Sequence, residues 1–555
     1  MKSRISIFIS LLVLFSVVLS ACVPATQPVA PAQPTQVPAA AQPTQAVQPP
    51  TQAAPTAVPQ PTTAPAPGAP KRGGTLNWST QASPQNLDIW ISEANQDMWT
   101  MVNIVEGLVR VNRKGDAMEA CLSDKWTIST DGLEYTFHLR PGIKFSNGDA
   151  VTPEDVVFSL KYAMVTGPWK WLDTSIKDVV KVDDSNVKIT LTAAYTPMLT
   201  VFGFISNSIV PEKVFNSKGV DEFDKAPVGT GPYMIKEYVP NEHITLVRNP
   251  YYWDMGVDGK PLPYIDTVVV TQVPEATTRV MQVQSGDVDG MDGVPWSSVN
   301  QLKSDASATM TLWPSTQTHY LLFNFRTPPM DDLKFRQALS YATDRKAMVE
   351  TVLFGNGSVA KSFFPEDGMC VDKTIPDPAY DLDKAKALLK ESKFPDGYKG
   401  FKIEVPQGSV IGRDNATMLK DMWAKIGVEV DIQEVESGTM SDEFNANKHF
   451  SISGYQWTND ILDPDEQVGF FVIDPAYHTG WVNAKAVDEA KQAQTIQDPA
   501  KRCQLYSDLQ NIYNEEAPVL SLYHTPFNTF IKKDVKDFTM ISLGWYRFQY
   551  VWLDR

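Results

Sequence analysis

A chain of 555 residues with 49 basic and 65 acidic side chains, net charge −16, has room for two or three domains and a large core. So acidic a surface argues against nucleic-acid partners and against broad electrostatic adhesion to anionic lipid. After the first twenty-two residues no run of eighteen or more apolar residues occurs, so no spanning helix is expected beyond them.

Lys2 and Arg4 precede an almost unbroken apolar run from Ile5 to Val18, closed by Leu19-Ser20-Ala21-Cys22. The run is too short and wrongly flanked for a stable span, and reads as a secretory signal over residues 1–22. Leu-Ser-Ala-Cys resembles a bacterial lipobox, which implies cleavage that leaves Cys22 as a lipid-modified N-terminus. An ordinary signal cut near Ala21 is the plainer alternative. Without these residues 47 basic side chains face 65 acidic ones, a net charge of about −18. Several lipid chains hold a membrane where one does not.

Residues 23–70 carry no charge and consist almost wholly of Pro, Ala, Gln, Thr and Val. Such a segment buries too little apolar surface to offset its ordering entropy, and a disordered linker is expected over 23–72. In extended polyproline form, at about 3.1 Å per residue, it would reach on the order of 150 Å.

Folded sequence begins with Gly73-Gly74-Thr75-Leu76-Asn77-Trp78, a turn into a strand. Glu134 to Leu139 alternates as a strand, and Pro141-Gly142 turns the chain. Thr152 at N-cap, Pro153 at N1 and Glu154 and Asp155 in the first turn open a helix with Val156, Val157, Leu160 and Ala163 inside. Asp178 to Leu191 reads as two strands about the Asp183-Asp184-Ser185-Asn186 turn. Gly229 and Gly231 suit a tight turn before a strand at Tyr233.

The pattern restarts at Tyr320, with a strand at 320–325 and helices near 332–343 and 345–352. Asp381 opens another helix, with Ala385, Leu388 and Leu389 apolar. Met418, Met422 and Ile426 mark a helix ending at Gly427, and Val428, Val430 and Ile432 alternate as a strand. Beyond Cys22, Cys121, Cys370 and Cys503 lie 249 and 133 residues apart. No CxxC motif exists, and at most one bridge forms, between a pair the spacing leaves open.

Phe137-His-Leu-Arg-Pro-Gly-Ile-Lys-Phe145, Asn147-Gly148 and Thr152-Pro-Glu-Asp-Val-Val-Phe-Ser-Leu160 resemble the signature of family 5 extracellular solute-binding proteins. These are the peptide- and nickel-type receptors of ABC importers. The resemblance continues through Pro227-Val-Gly-Thr-Gly-Pro-Tyr233, Arg248-Asn-Pro-Tyr-Tyr-Trp253, Leu321-Leu-Phe-Asn-Phe325, Phe335 to Arg345 and Trp423 to Val428. It spans residues 73–555 in the family's order.

It implies a two-lobed α/β fold of the type II periplasmic-binding-protein kind, with an extra subdomain in the first lobe. Residues 73–109, 223–315 and 525–555 would form lobe I, 110–222 its inserted subdomain and 316–524 lobe II. Two hinge crossings, near 312–319 and 523–528, would let the lobes close on a ligand.

Gly454-Tyr-Gln-Trp-Thr-Asn-Asp-Ile-Leu-Asp-Pro-Asp465 gathers two aromatics and three carboxylates in a predicted loop. In dipeptide-binding relatives a Trp-Thr-x-Asp run followed by Asp-Pro carries an aspartate that pairs with the ligand's α-amino group. The resemblance gives that role to Asp460, where a desolvated carboxylate accepts a charge-assisted hydrogen bond. Trp457 would add an apolar wall or a cation-facing ring, with Asn459 and Tyr455 beside it. Arg413, ahead of a helix at 416–426, is a candidate partner for a ligand carboxylate, although Gln407 to Gly412 departs from the dipeptide binders' pattern and a plain surface arginine is the alternative. Trp296, in a loop after the acidic Asp287 to Asp292 stretch, is a candidate cleft residue.

Catalytic motifs are lacking. There is no G-x-S-x-G, H-E-x-x-H or G-x-x-x-x-G-K-[ST], and Ser-x-x-Lys at Ser185 and Ser358 lacks the partners of an acyl-serine enzyme. Asp287 to Asp292 fails as a calcium loop, because Met291 and Ser298 occupy ligand positions. His138, His243, His319, His449, His478 and His524 have no ligand spacing. The expectation is therefore a binding protein without cofactor or metal, monomeric and held outside the cell membrane by lipid at Cys22. It would capture oligopeptides and deliver them to a permease driven by a separate ATPase. An oligosaccharide receptor of the same family is the alternative, and a surface adhesin or sensory co-receptor would share the same sequence features.

Overall fold

Two large sheets organise the computed structural model, which describes residues 68–473 and 479–555. The signal segment, Cys22, the linker as far as residue 67 and His478 lie outside the described residues. No described helix is long and apolar enough to cross a membrane.

The seven-stranded sheet runs in the order Ala308–Trp313, Phe527–Lys532, Gly290–Asp292, Thr75–Thr80, Thr267–Gln272, His243–Arg248, Tyr233–Val239. Thr75–Thr80 lies parallel to both neighbours, with Thr75 opposite Thr267 and Trp78 opposite Gly290. Strands flanked in this way are covered on both faces, and Leu76 and Trp78 are fully buried. The six-stranded sheet runs Ser358–Val359, Val519–His524, Thr318–Leu322, Ile452–Trp457, Tyr398–Pro406, Val428–Val435. A four-stranded antiparallel sheet, Ser123–Ile128, Glu134–Leu139, Asn186–Leu191 and Ile176–Lys181, packs on the helix Pro153–Ala163.

Local chemistry accounts for several of these elements. Thr152 and Asp155 form a reciprocal capping box at the start of Pro153–Ala163. Asp381 caps Leu382–Glu391 by accepting from the Lys384 N–H at 2.9 Å. Gly229 and Gly231 answer to a different need from the turn expected of them. Neither has positive φ; a Cβ on Gly229 would stand 2.1 Å from the Ile104 carbonyl oxygen, and one on Gly231 2.6 Å from the Ile104 carbonyl carbon. Glycine is required there by close backbone approach.

The chain passes between the large sheets twice, from Trp313 to Thr318 and from His524 to Phe527. The two crossings are tied to each other. Thr525 Oγ1 donates to Gln317 Oε1 at 2.6 Å, and Thr525 N donates to Gln317 O at 3.3 Å. His524 Nδ1 lies 3.0 Å from Thr318 Oγ1, and His319 Nε2 lies 3.1 Å from Thr525 Oγ1. Burial lowers both imidazoles, His319 to about 3 and His524 to about 4, so both are neutral at pH 7. Cys370 and Cys503 form a disulfide, and Cys121 is a buried thiol.

Candidate functional site

Ile452–Trp457 sits inside the six-stranded sheet, antiparallel to Thr318–Leu322, with Thr318 opposite Trp457 and Tyr320 opposite Tyr455. The expected loop from Gly454 to Asp465 therefore begins as strand, over Gly454 to Trp457. Its polar sequence hid a strand flanked on both sides, and Gly454 stands in it for a steric reason. With φ of +80°, a Cβ there would meet Gly412 Cα at 2.8 Å. The chain then leaves the sheet at the strand's C-terminal end, where open α/β sheets place their ligands. It crosses residues 458–463 and re-enters helix at Asp465–Val468, with Pro464 at the N-cap.

Four carboxyl groups crowd this bend, and each is buried. Asp463 takes a two-pronged ion pair from Arg502, at 2.7 and 2.6 Å. Arg502 also donates to the Ala493 carbonyl and to Tyr506. Removing one partner of so buried a pair would leave an uncompensated charge. Asp465 accepts from Tyr195 Oη at 2.5 Å and from Gln494 Nε2 at 3.2 Å. Glu466 Oε2 accepts the backbone N–H groups of Asp460 and Ile461 at 2.7 and 2.8 Å. Asp460 has an Oδ1 with no hydrogen-bond partner, as have Asp465 at Oδ1 and Glu466 at Oε1. Burial pushes Asp460 and Asp465 up to about 7, and burial with the neighbouring Asp460 carboxyl drives Glu466 well above the usual range.

A cavity of about 240 Å³ opens beside the bend. Asn459, Ile461, Asp463 and Pro464 form one wall, Phe364 to Met369 a second, and Asp116, Ser542 and Leu543 approach from the lobe of the seven-stranded sheet. The Phe364 to Met369 wall ends at Cys370, whose disulfide fastens it to the helix Pro499–Glu516. The lobes touch at the rim. Tyr195 reaches Asp465, Thr196 N donates to Gln494 O at 2.7 Å, and the Trp171 ring meets Phe470 edge-on at 5.2 Å. A larger groove of about 710 Å³ lies against the helix Pro153–Ala163 and the strand Ile176–Lys181, lined mainly by Val157, Phe158, Tyr162 and Val179. None of the buried carboxyls lines it; its charged residues are Glu154, Lys161, Lys181 and Glu212, with Lys181 paired to Glu154 at 2.9 Å.

Asn459 lines the cavity, and Asp460 follows it in the chain, buried and between two residues of the lining, Asn459 and Ile461. Trp457 backs them: its Nε1 donates to Asn459 Oδ1 at 3.0 Å, and its ring packs on Phe470 and Phe471. Tyr455 lies one alternation back along the strand, its ring packed with Tyr320 and Phe444. Arg413 is placed elsewhere. Ser409 caps a helix that already begins at Val410, so Arg413 lies in its first turn, half-exposed, with its guanidinium on Glu434 at 2.7 Å. Trp296 is not in a loop but opens the helix Trp296–Leu302, packed between core clusters of the two lobes. Glu466, Arg502 and Tyr195 had no sequence signal, because their partners arrive through the fold.

The profile of the bacterial extracellular solute-binding proteins, family 5 Middle, matches residues 117–477. The dipeptide-binding protein of Escherichia coli K12 is 29% identical over 514 residues, covering 86% of this chain and 94% of that protein. Heme-binding protein A of Haemophilus influenzae is 28% identical over 480 residues, covering 80% and 86%. Among solved structures, an ABC transporter-associated periplasmic binding protein of Helicobacter pylori, in complex with the peptide STSA, superposes with a TM-score of 0.78. It is 25% identical and covers 87% of this chain and 99% of its own.

Proposed function

Because the chain belongs to the family 5 bacterial extracellular solute-binding proteins, whose members bind solutes for transport and do not transform them, we propose that it captures peptides between its lobes for an ABC importer. The observation that carries the reading is Asp460: a buried carboxyl with an oxygen lacking a partner, at the strand end beside the interlobe cavity. An ammonium group supplies the hydrogen-bond donors that this oxygen lacks. Asn459 lines the chamber next to it, and Trp457 holds Asn459 in place. The likeness to the Escherichia coli dipeptide-binding protein supports a peptide as cargo. Arg413, engaged with Glu434 on the outside, takes no part in this reading.

The protein would act as a monomer, tethered outside the cell membrane by lipid on Cys22, and pass its cargo to a permease with a separate ATPase. The test is a thermal-shift screen of the purified protein against free peptides, N-acetylated peptides and oligosaccharides, repeated with Asp460→Ala. At 100 times its dissociation constant a ligand stabilises by about 2.7 kcal/mol. Free peptides should stabilise the wild type, and acetylation or Asp460→Ala should remove the response. A response to oligosaccharides alone would sink the peptide reading and leave a sugar receptor in its place.

A further inference from the structure

Glu466 is a group that an amine anchor alone does not need. It is fully buried; its Oε2 is taken by two backbone N–H groups, and its Oε1 has no partner. Oδ1 of Asp460 is orphaned in the same way. Glu466 Oε2 holds the Asp460 backbone N–H at 2.7 Å, which brings the two carboxyls close together, and two neighbouring carboxyls in so dry a place cannot both be ionised. A single proton held between the two side chains would relieve that repulsion.

We propose that Glu466 is a positioning residue that shares one proton with Asp460, and that the ammonium of an arriving ligand displaces this proton. The inference rests on the reading of Asp460 as the amine anchor. Before the ligand arrives, the pair holds one proton and one negative charge. R–NH₃⁺ then donates to Asp460, the O–H bond of the shared proton breaks, and the proton leaves to solvent. Nothing is oxidised or reduced, and no covalent bond to the ligand forms. Up to one proton is released per ligand, so affinity rises with pH through neutrality. Other charged groups near the pair are Asp463 with Arg502, Asp465 with Tyr195, and Asp116 and Asp367 on the facing walls. Among the described residues, the one charged partner that shifts Asp460 is Glu466.

Two measurements decide it. Infrared difference spectra of the ligand-free protein at pH 7 read the C=O stretch of a protonated carboxyl. Calorimetry with trialanine in phosphate and in Tris at the same pH reads the protons exchanged on binding. Among the bands of protonated carboxyls, the wild type should show one that Glu466→Gln and Asp460→Asn each remove. It should release half a proton or more per trialanine, against almost none for Glu466→Gln. A band lost in only one of the two variants, or equal release by wild type and Glu466→Gln, would overturn the pair. Should a variant not fold, titration of the wild-type band and its loss on adding trialanine decide the same question. If trialanine gives no heat while both variants still remove the band, the peptide reading and the displacement step fall together and the shared proton stands.

Discussion

Asp465 shows how much a single buried group can weigh. It has no solvent exposure, and its pKa is pushed up to about 7 from an ordinary value of 3.8, chiefly by desolvation, with the nearby Asp463 charge adding to it. A carboxyl raised in the native state binds its proton more tightly there than in the unfolded chain. Its contribution is therefore fully present below about pH 4 and is lost as pH rises through about 7. Three pH units at about 1.4 kcal/mol each make the loss on the order of 4 kcal/mol. Asp465→Asn keeps the acceptor for Tyr195 and removes the titration. The stability of wild type relative to Asp465→Asn, read from urea midpoints, should fall by that amount between pH 4 and pH 7. A flat difference across the window would mean that Asp465 is ionised throughout. His319 and His524 act in the opposite sense: with lowered pKa values they withdraw stability as pH falls below about 6.5. Comparing the variant with the wild type cancels them.

Among the elements, the strand Ile452–Trp457 positions the site, and Gly454 is its tightest point. A methyl group there would need a left-handed backbone and would press on Gly412, the third residue of the helix Val410–Ala424. Gly454→Ala should cost about 1–3 kcal/mol in stability and, by shifting Trp457 and Asn459, weaken peptide binding. Chemical denaturation and the thermal-shift assay would read the two effects, and an unchanged midpoint would show that the helix can yield. The contrast between this strand and the helix Pro153–Ala163 explains what could be read in the chain. Thr152 and Asp155 signal within four residues of each other, so that helix start was legible. Ile452–Trp457 lies between two neighbouring strands and carries a glycine in its middle, so it lacks the alternation of an edge strand. Asp460 could be singled out in the chain because its Trp-Thr-x-Asp frame is local. Arg502 and Tyr195 were not, because they reach their carboxylates across 39 and 270 residues. Arg413 misled because Ser409 starts its helix earlier than the apolar pattern at Met418, Met422 and Ile426 indicated.

At the scale of the molecule, Tyr195 to Asp465 is a buried side-chain hydrogen bond that joins the lobes at the rim. Tyr195→Phe removes that hydrogen bond and nothing else of shape, which is worth about 1–2 kcal/mol between closed and open forms. Solution scattering should show a larger radius of gyration for ligand-free Tyr195→Phe than for wild type, with excess peptide restoring the smaller value. Identical curves would assign closure to the Thr196 and Trp171 contacts. The chamber also bears on timing. Its 240 Å³ are walled by both lobes, one wall is stapled by a disulfide, and Asp460 is 5% exposed. If Asp460 is the anchor, arrival of a cargo should wait for the lobes to part and fall below the 10⁵–10⁷ M⁻¹s⁻¹ of ready-made docking surfaces. Different cargoes would then enter at nearly the same pace, and the protein would rank them by how long each keeps the lobes closed.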